Sequence, residues 1–195
     1  MNKTTLRTCF ILLFWLPAIS STGQTWSIGI YLNGINFHLK KPLNPNLFHR
    51  TLSQDKRLVY NLAGGIRVSY YLNNYLGITI TQVLAPRDCG NRFFGMTHAG
   101  VFLSTRYFND SPHEGHLIGG PILFYRKNWN DLPGYTDDKM MKQSKNKQWQ
   151  YKFVWHGGFL EYRYHYTPYQ AAGIHLMPGI PELLSFSAHH TSFIK

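Results

Sequence analysis

Apolar and polar residues alternate along most of the chain with a period of two, the pattern of strands that present one face to each of two environments. Trp26, Ile28, Ile30 and Leu32 alternate with Ser27, Gly29, Tyr31 and Asn33. A second strand sets Tyr60, Leu62, Ile66, Val68 and Tyr70 against Asn61, Gly65, Arg67 and Ser69. After a tight turn at Leu72-Asn-Asn74, a third sets Leu76, Ile78 and Ile80 against Gly77, Thr79 and Thr81. The fourth sets Ala99, Val101 and Leu103 against His98, Gly100, Ser104 and Arg106. Four more strands are predicted at 115–127, 151–165, 169–177 and 182–193; in the last, Leu184, Phe186 and Ala188 face away from Ser185, Ser187 and His189.

Eight antiparallel strands, each with one greasy face, predict an all-β fold: a small closed barrel spanning the bacterial outer membrane. Closure also removes the sheet edges that lipid cannot tolerate. Connections near 72–74, 108–114 and 166–168 are short or polar and are expected to face the periplasm. Those near 40–58, 87–92, 128–150 and 178–181 carry prolines and basic runs and are expected to face outward. An interior of this size is filled by side chains or holds one small ligand. Arg67, Arg106, Glu161 and Arg163 fall on the inner face, where the Glu is expected to pair with an Arg.

The first 23 residues read as a secretory signal peptide. Lys3 and Arg7 precede a short apolar run from Cys9 to Ile19, and small residues follow to Gly23. The run is too short for a spanning helix. Residues 24–195 then form a single barrel domain. Only Cys89 remains in that mature chain, so no internal disulfide framework is available. Aromatic residues make up 16% of the chain and charged residues 15%, which fits aromatic girdles around a membrane barrel. Twenty Lys and Arg oppose nine Asp and Glu. On an exported protein that excess points to anionic lipid or lipopolysaccharide phosphates and away from nucleic acid.

Candidate chemistry lies at the outer strand ends. His38 closes the first strand, and Asp88 with Cys89 follows Pro86-Arg87 after the third. A closed barrel brings those ends to one rim. Imidazole as base, carboxylate to orient it and thiolate as nucleophile form a set competent for acyl transfer. Arg87 and Arg92 would lower the thiol pKa if they pointed inward.

These residues resemble the outer-membrane lipid A palmitoyltransferases, eight-stranded barrels that move a palmitoyl chain from a phospholipid to lipid A. Phe37-His38 matches the family's aromatic-His pair at the end of the first strand, and Arg87-Asp88-Cys89 stands at its basic-Asp-Ser segment. Gly100, twelve residues beyond Asp88, falls where the family has the glycine flooring its acyl pocket. Arg126-Lys-Asn-Trp-Asn130, with Pro133 close behind, resembles its Arg-x-Asn-Trp-Asn segment after the fifth strand. The likeness runs from about Tyr31 to Tyr166. It departs in having Cys89 for serine, Asn33 for the proline of the first strand, and no amphipathic helix ahead of that strand.

The resemblance implies His38, Asp88 and Cys89 as catalytic residues and Gly100, Arg126, Asn128 and Trp129 as lipid-binding ones. The partners it implies are a phospholipid acyl donor and a lipid A acceptor in the outer membrane. No cofactor or metal is called for, and a monomer suffices. Two other readings compete with it. One is a non-enzymatic small barrel serving adhesion or envelope integrity. The other is a lipid A deacylase, since His189-His-Thr-Ser192 resembles the His-x-Ser stretch of those hydrolases. A triad completed by Glu182 fails on geometry, because strand residues so far apart lie ~3.3 Å per residue from one another along the wall.

Overall fold

The computed structural model describes residues 25–38, 58–87, 92–105, 111–130, 141–179 and 183–194. Eight long strands and one short one make a single antiparallel sheet: β1 Thr25–His38, β2 Leu58–Tyr71, β3 Leu76–Ala85, β4 Phe94–Ser104, β5 His113–Lys127, β6 Lys142–Gln143, β7 Trp149–Thr167, β8 Gln170–Gly179 and β9 Leu183–Ile194. Pairing runs β5-β4-β3-β2-β1-β9-β8-β7, and β5 pairs back to β7, which closes the eight long strands into a barrel. The two-residue β6 adds to the free edge of β7 above the point where β8 stops pairing.

The strand limits match the alternation to within a few residues. Three departures have local causes. β6 lies in the long polar connection at 128–150, where no apolar run announces a strand. β8 and β9 extend toward each other and leave only residues 180–182 between them. The β1 register shifts between Asn33 and Ile35: against β9 Gly34 is an extra residue, against β2 the additional residue is on β2, and the inward positions of β1 pass from Asn33 to Asn36.

The barrel is inside-out relative to a water-soluble protein. Ile30, Ile80 and Ile174 are more than 60% exposed on the outer wall, whereas Arg67 and Arg163 on the inner wall are 1% exposed. A closed sheet with an apolar outer surface buries that surface in hydrocarbon and leaves no unpaired edge in it. Tyr162, Tyr164, Tyr166, Tyr169 and Trp26 ring one end of the outer wall. Tyr60, Tyr151 and Phe153 stand toward the other, giving the two aromatic girdles of a membrane barrel. The chain is therefore an eight-stranded outer-membrane β-barrel. The turns at 72–75 and 168–169 mark its short-turn end; the connections at 39–57, 86–93 and 128–148 leave from the other end.

Candidate functional site

Among the described residues the inner wall carries large, closely packed side chains. Toward the short-turn end it holds a charged network centred on Glu161. One carboxylate oxygen accepts from the Tyr31 hydroxyl at 2.8 Å and from an Arg67 guanidinium nitrogen, and the other accepts from Arg163 Nε. Arg67 also donates to Thr81 Oγ1 at 2.7 Å, approaches His175 Nε2 at 3.3 Å and lies 4.5 Å from the Tyr31 ring centre. Arg163 donates to the Tyr71 hydroxyl at 2.7 Å. A second carboxylate, Glu114, accepts from Ser104 Oγ at 2.6 Å and sits 2.7 Å from His165 Nε2. His116 links the two centres, 2.9 Å from Glu114 and 3.7 Å from Glu161. Two guanidinium groups thus face two carboxylates, and each charge has partners, as burial requires. The expected pairing of Glu161 with an Arg is met twice, by Arg67 and by Arg163, while Arg106 lies outside the described residues.

An apolar cluster extends from beside this network toward the long-loop end, where Asn33, Asn36, Gln150 and Ser185 are buried with it. Met96, Ile122, Phe124, Phe159 and Met177 are buried and pack into one cluster with Phe94, Val83 and Val154. A cavity between Tyr31, Asn33, Val83, Met96, His175 and Met177 measures about 10 Å³, room for about one water molecule.

Gly100 lies among these inward groups. A Cβ there would stand 2.3 Å from the Gly119 carbonyl oxygen and 2.7 Å from His98 Nε2, and one on Gly120 would stand 2.2 Å from the Ala99 carbonyl oxygen. β4 and β5 can approach this closely only because both positions lack side chains. The register of paired residues passes from His98↔Ile122 to Val101↔Gly119 over the same stretch, where Pro121 has no N–H to contribute. Gly100 therefore serves the strand crossing, and the space above it contains His98 and Met96.

Arg126, Asn128 and Trp129 come together at the long-loop rim. Arg126 Nε donates to Gln150 Oε1 at 2.8 Å, and its guanidinium lies 3.9 Å from the Trp129 ring centre. The Asn128 amide donates to the Gln148 carbonyl, and its side-chain oxygen accepts from the Asn130 amide at 3.0 Å. Gln150 Nε2 in turn donates to Asn130 Oδ1 at 3.1 Å. The segment is a corner tied down by Gln150, a residue that no motif in the sequence marks. Gly100 does not join it: Phe94 pairs with Arg126, and Gly100 lies six residues further down β4, ~20 Å away.

His38 is the last residue of β1, where its backbone pairs with Leu183. β3, which leads toward Asp88 and Cys89, ends at the same rim with β2 between the two strands. Asp88 and Cys89 lie outside the described residues, as do residues 1–23. Around the barrel β1 and β5 stand on opposite sides, so the rim carries the end of the His38 strand on one side and the Arg126 corner on the other. Of the His-x-Ser stretch, His189 is buried, stacked on Tyr31 at 4.9 Å between ring centres, whereas His190 is exposed beside Tyr166.

Inward parity on β5 and β8 is the signal for the rest of the plug, Glu114, His116 and His175, which join His189 of β9 on the inner wall.

Comparison with known families and with curated proteins finds no match. Solved structures give distant likenesses. The N-terminal β-barrel domain of Pseudomonas aeruginosa OprF aligns with a TM-score of 0.49 at 8% identity, over 86% of this chain and 97% of that one. Ail, the attachment invasion locus protein of Yersinia pestis, aligns with a TM-score of 0.48 at 10% identity over 88% and 99%. Neisserial surface protein A aligns with a TM-score of 0.47 at 9% identity over 89% and 99%. Likeness at this level says nothing of activity, and the fold assignment rests on the strand pairing and the apolar outer wall described above.

Proposed function

We propose that this barrel is a non-enzymatic envelope protein, serving outer-membrane integrity or surface adhesion through its long-loop end while its closed interior acts as a solid core. The observation that carries this reading is the filled inner wall. Arg67, Glu161 and Arg163 are buried in one ion-pair network and Met96, Phe102, Ile118, Ile122, Phe124 and Met177 in an apolar cluster beside it, and the cavity among Tyr31, Asn33, Met96 and Met177 measures about 10 Å³. A palmitoyl chain lying down the barrel would need a tunnel many times that size, and an open aqueous channel would need the charged groups displaced.

Acyl transfer by His38, Asp88 and Cys89 is the competing reading, and a lipid A mass spectrum separates the two. The full chain is expressed in a Gram-negative host lacking its own lipid A palmitoyltransferase, with membrane insertion checked by heat-modifiable gel migration. An unchanged lipid A profile is the expected result. A species heavier by one long acyl chain, lost in His38→Ala and Cys89→Ala, would establish the transferase with phospholipid as donor and lipid A as acceptor. Loss of an acyl chain would favour the deacylase.

A further inference from the structure

Charge is distributed unevenly over the described residues. Glu114 and Glu161, the two carboxylate side chains among them, are both buried. Arg67 and Arg163 are buried with them, and every other described Lys or Arg belongs to the long-loop end: Arg87, Arg92, Arg126, Lys127, Lys142, Lys145, Lys147 and Lys152.

Part of that charge sits on the outer wall directly above an aromatic surface. On β5, Leu123, Tyr125 and Lys127 point outward in sequence toward the rim, and across the register they pair with Phe153, Tyr151 and Trp149 of β7. Lys142 of β6 pairs with Tyr151 on the other edge of β7, which places it on the same outer face. Phe93 stacks on Tyr125 and meets Trp149 edge-on, at ring-centre distances of 6.3 and 5.8 Å. Tyr125 lies flat across β4, where a Cβ on Gly95 would come within 2.3 Å of its ring, and its hydroxyl accepts from Gln82 Nε2 at 2.7 Å. Trp155, at 70% exposure, and Phe153 continue the surface toward the middle of the wall. Lys127 and Lys142, both exposed, stand two strand spacings and two residues apart, about 12 Å between backbones. Their side chains are long enough to converge.

We propose that this wall, formed by β4, β5, β7 and β6, is a binding site for a phosphorylated glycolipid of the outer leaflet. The ligand's acyl chains lie along Leu123, Phe153 and Trp155, and its phosphates meet Lys127 and Lys142. Aromatic belts mark the interface between hydrocarbon and headgroups, and lysines just beyond it stand at the depth of lipid phosphates. A soluble anion would use the cations alone; here they cap an apolar wall that already faces lipid.

The test uses the full-length barrel folded in detergent and titrated with diphosphorylated lipid A and with chemically dephosphorylated lipid A, following tryptophan fluorescence. The phosphorylated lipid is expected to bind at least 10-fold more tightly, since each surface lysine contributes ~1 kcal/mol toward anionic lipid, and two together correspond to roughly 30-fold. The double variant Lys127→Gln/Lys142→Gln should bind both lipids alike, at the affinity of the dephosphorylated one. Equal affinity of the native barrel for the two lipids would overturn the proposal. So would an unchanged phosphate preference in the double variant, or displacement of the lipid by millimolar inorganic phosphate, which would identify a site for free anions.

Discussion

Two neighbouring residues on β2 meet opposite environments. Arg67 is 1% exposed inside the barrel, and Ile66 beside it is 57% exposed on the outer wall. In a water-soluble protein the wall carrying Ile66 would be the one turned inward. Here hydrocarbon surrounds Ile66, and Glu161, Thr81, His175 and Tyr31 surround Arg67. The outer wall needs only to be apolar, and its residues are interchangeable within that rule. The inner wall is a set of specific pairings, in which each group depends on named partners. The same one-residue step along a strand therefore separates tolerance from strict dependence.

The largest expected effect comes from breaking the inner set at its centre. Glu161→Leu leaves Arg67 and Arg163 buried without their shared carboxylate, and removing one partner of a buried ion pair costs about 3–5 kcal/mol. Urea unfolding of the barrel in lipid vesicles, followed by tryptophan fluorescence, should register that loss. Replacing Glu161 and both arginines together with apolar residues of similar volume should recover much of it.

On the outer wall, charge is the damaging change. Ile80→Arg, midway along β3, should cost about 2–4 kcal/mol, and Ile80→Leu next to nothing. A cost for Ile80→Arg comparable to that of an arginine placed at the rim would mean that Ile80 is not embedded in lipid.

Gly100→Val drives a side chain against the Gly119 backbone, which cannot move aside as a side chain would. Overpacking of this kind should cost about 1–3 kcal/mol. It should appear as lost stability with no change in any lipid product, whereas an acyl-chain ruler would shift the length of chain transferred.

The smallest effect tests one hydrogen bond. Tyr31→Phe removes the hydroxyl that donates to Glu161 while keeping the ring under Arg67 and against His189. Hydrogen bonds to charged groups contribute about 1.5–3 kcal/mol, and the lower part of that range is expected because Arg67 and Arg163 continue to satisfy the carboxylate. A neutral result in the same unfolding assay would show that the inner wall tolerates substitution as freely as the outer.

The walls themselves were legible in the sequence. A period of two assigns a face to each residue, so Arg67, Glu161 and Arg163 could be placed inside before any coordinates. Lateral neighbours were not legible, because alternation carries no information on which strand sets a given group beside another. Arg163 lies two residues from Glu161 on β7 itself, whereas Arg67 reaches Glu161 across the lumen from β2 on the opposite side and His116 pairs with it from β5, which only the closed sheet shows. Short bulges such as Gly34, and the two-residue β6, leave no periodic trace. The Arg126–Asn130 segment was recognisable as a motif, but its tie to Gln150, 20 residues or more away, needed the fold. His38, Asp88 and Cys89 share a rim only in the sense that the strand order directs β1 and β3 to the same end.

The most direct test of a filled interior is conductance. The full-length barrel is reconstituted in a planar bilayer at neutral pH, beside Glu161→Leu and an open porin as a positive control. The native barrel is expected to insert without steady ion-conducting events, because charged and apolar side chains block the whole bore. A stable open channel in the native protein would contradict the account, since it would require a continuous water path through the groups that here fill the barrel.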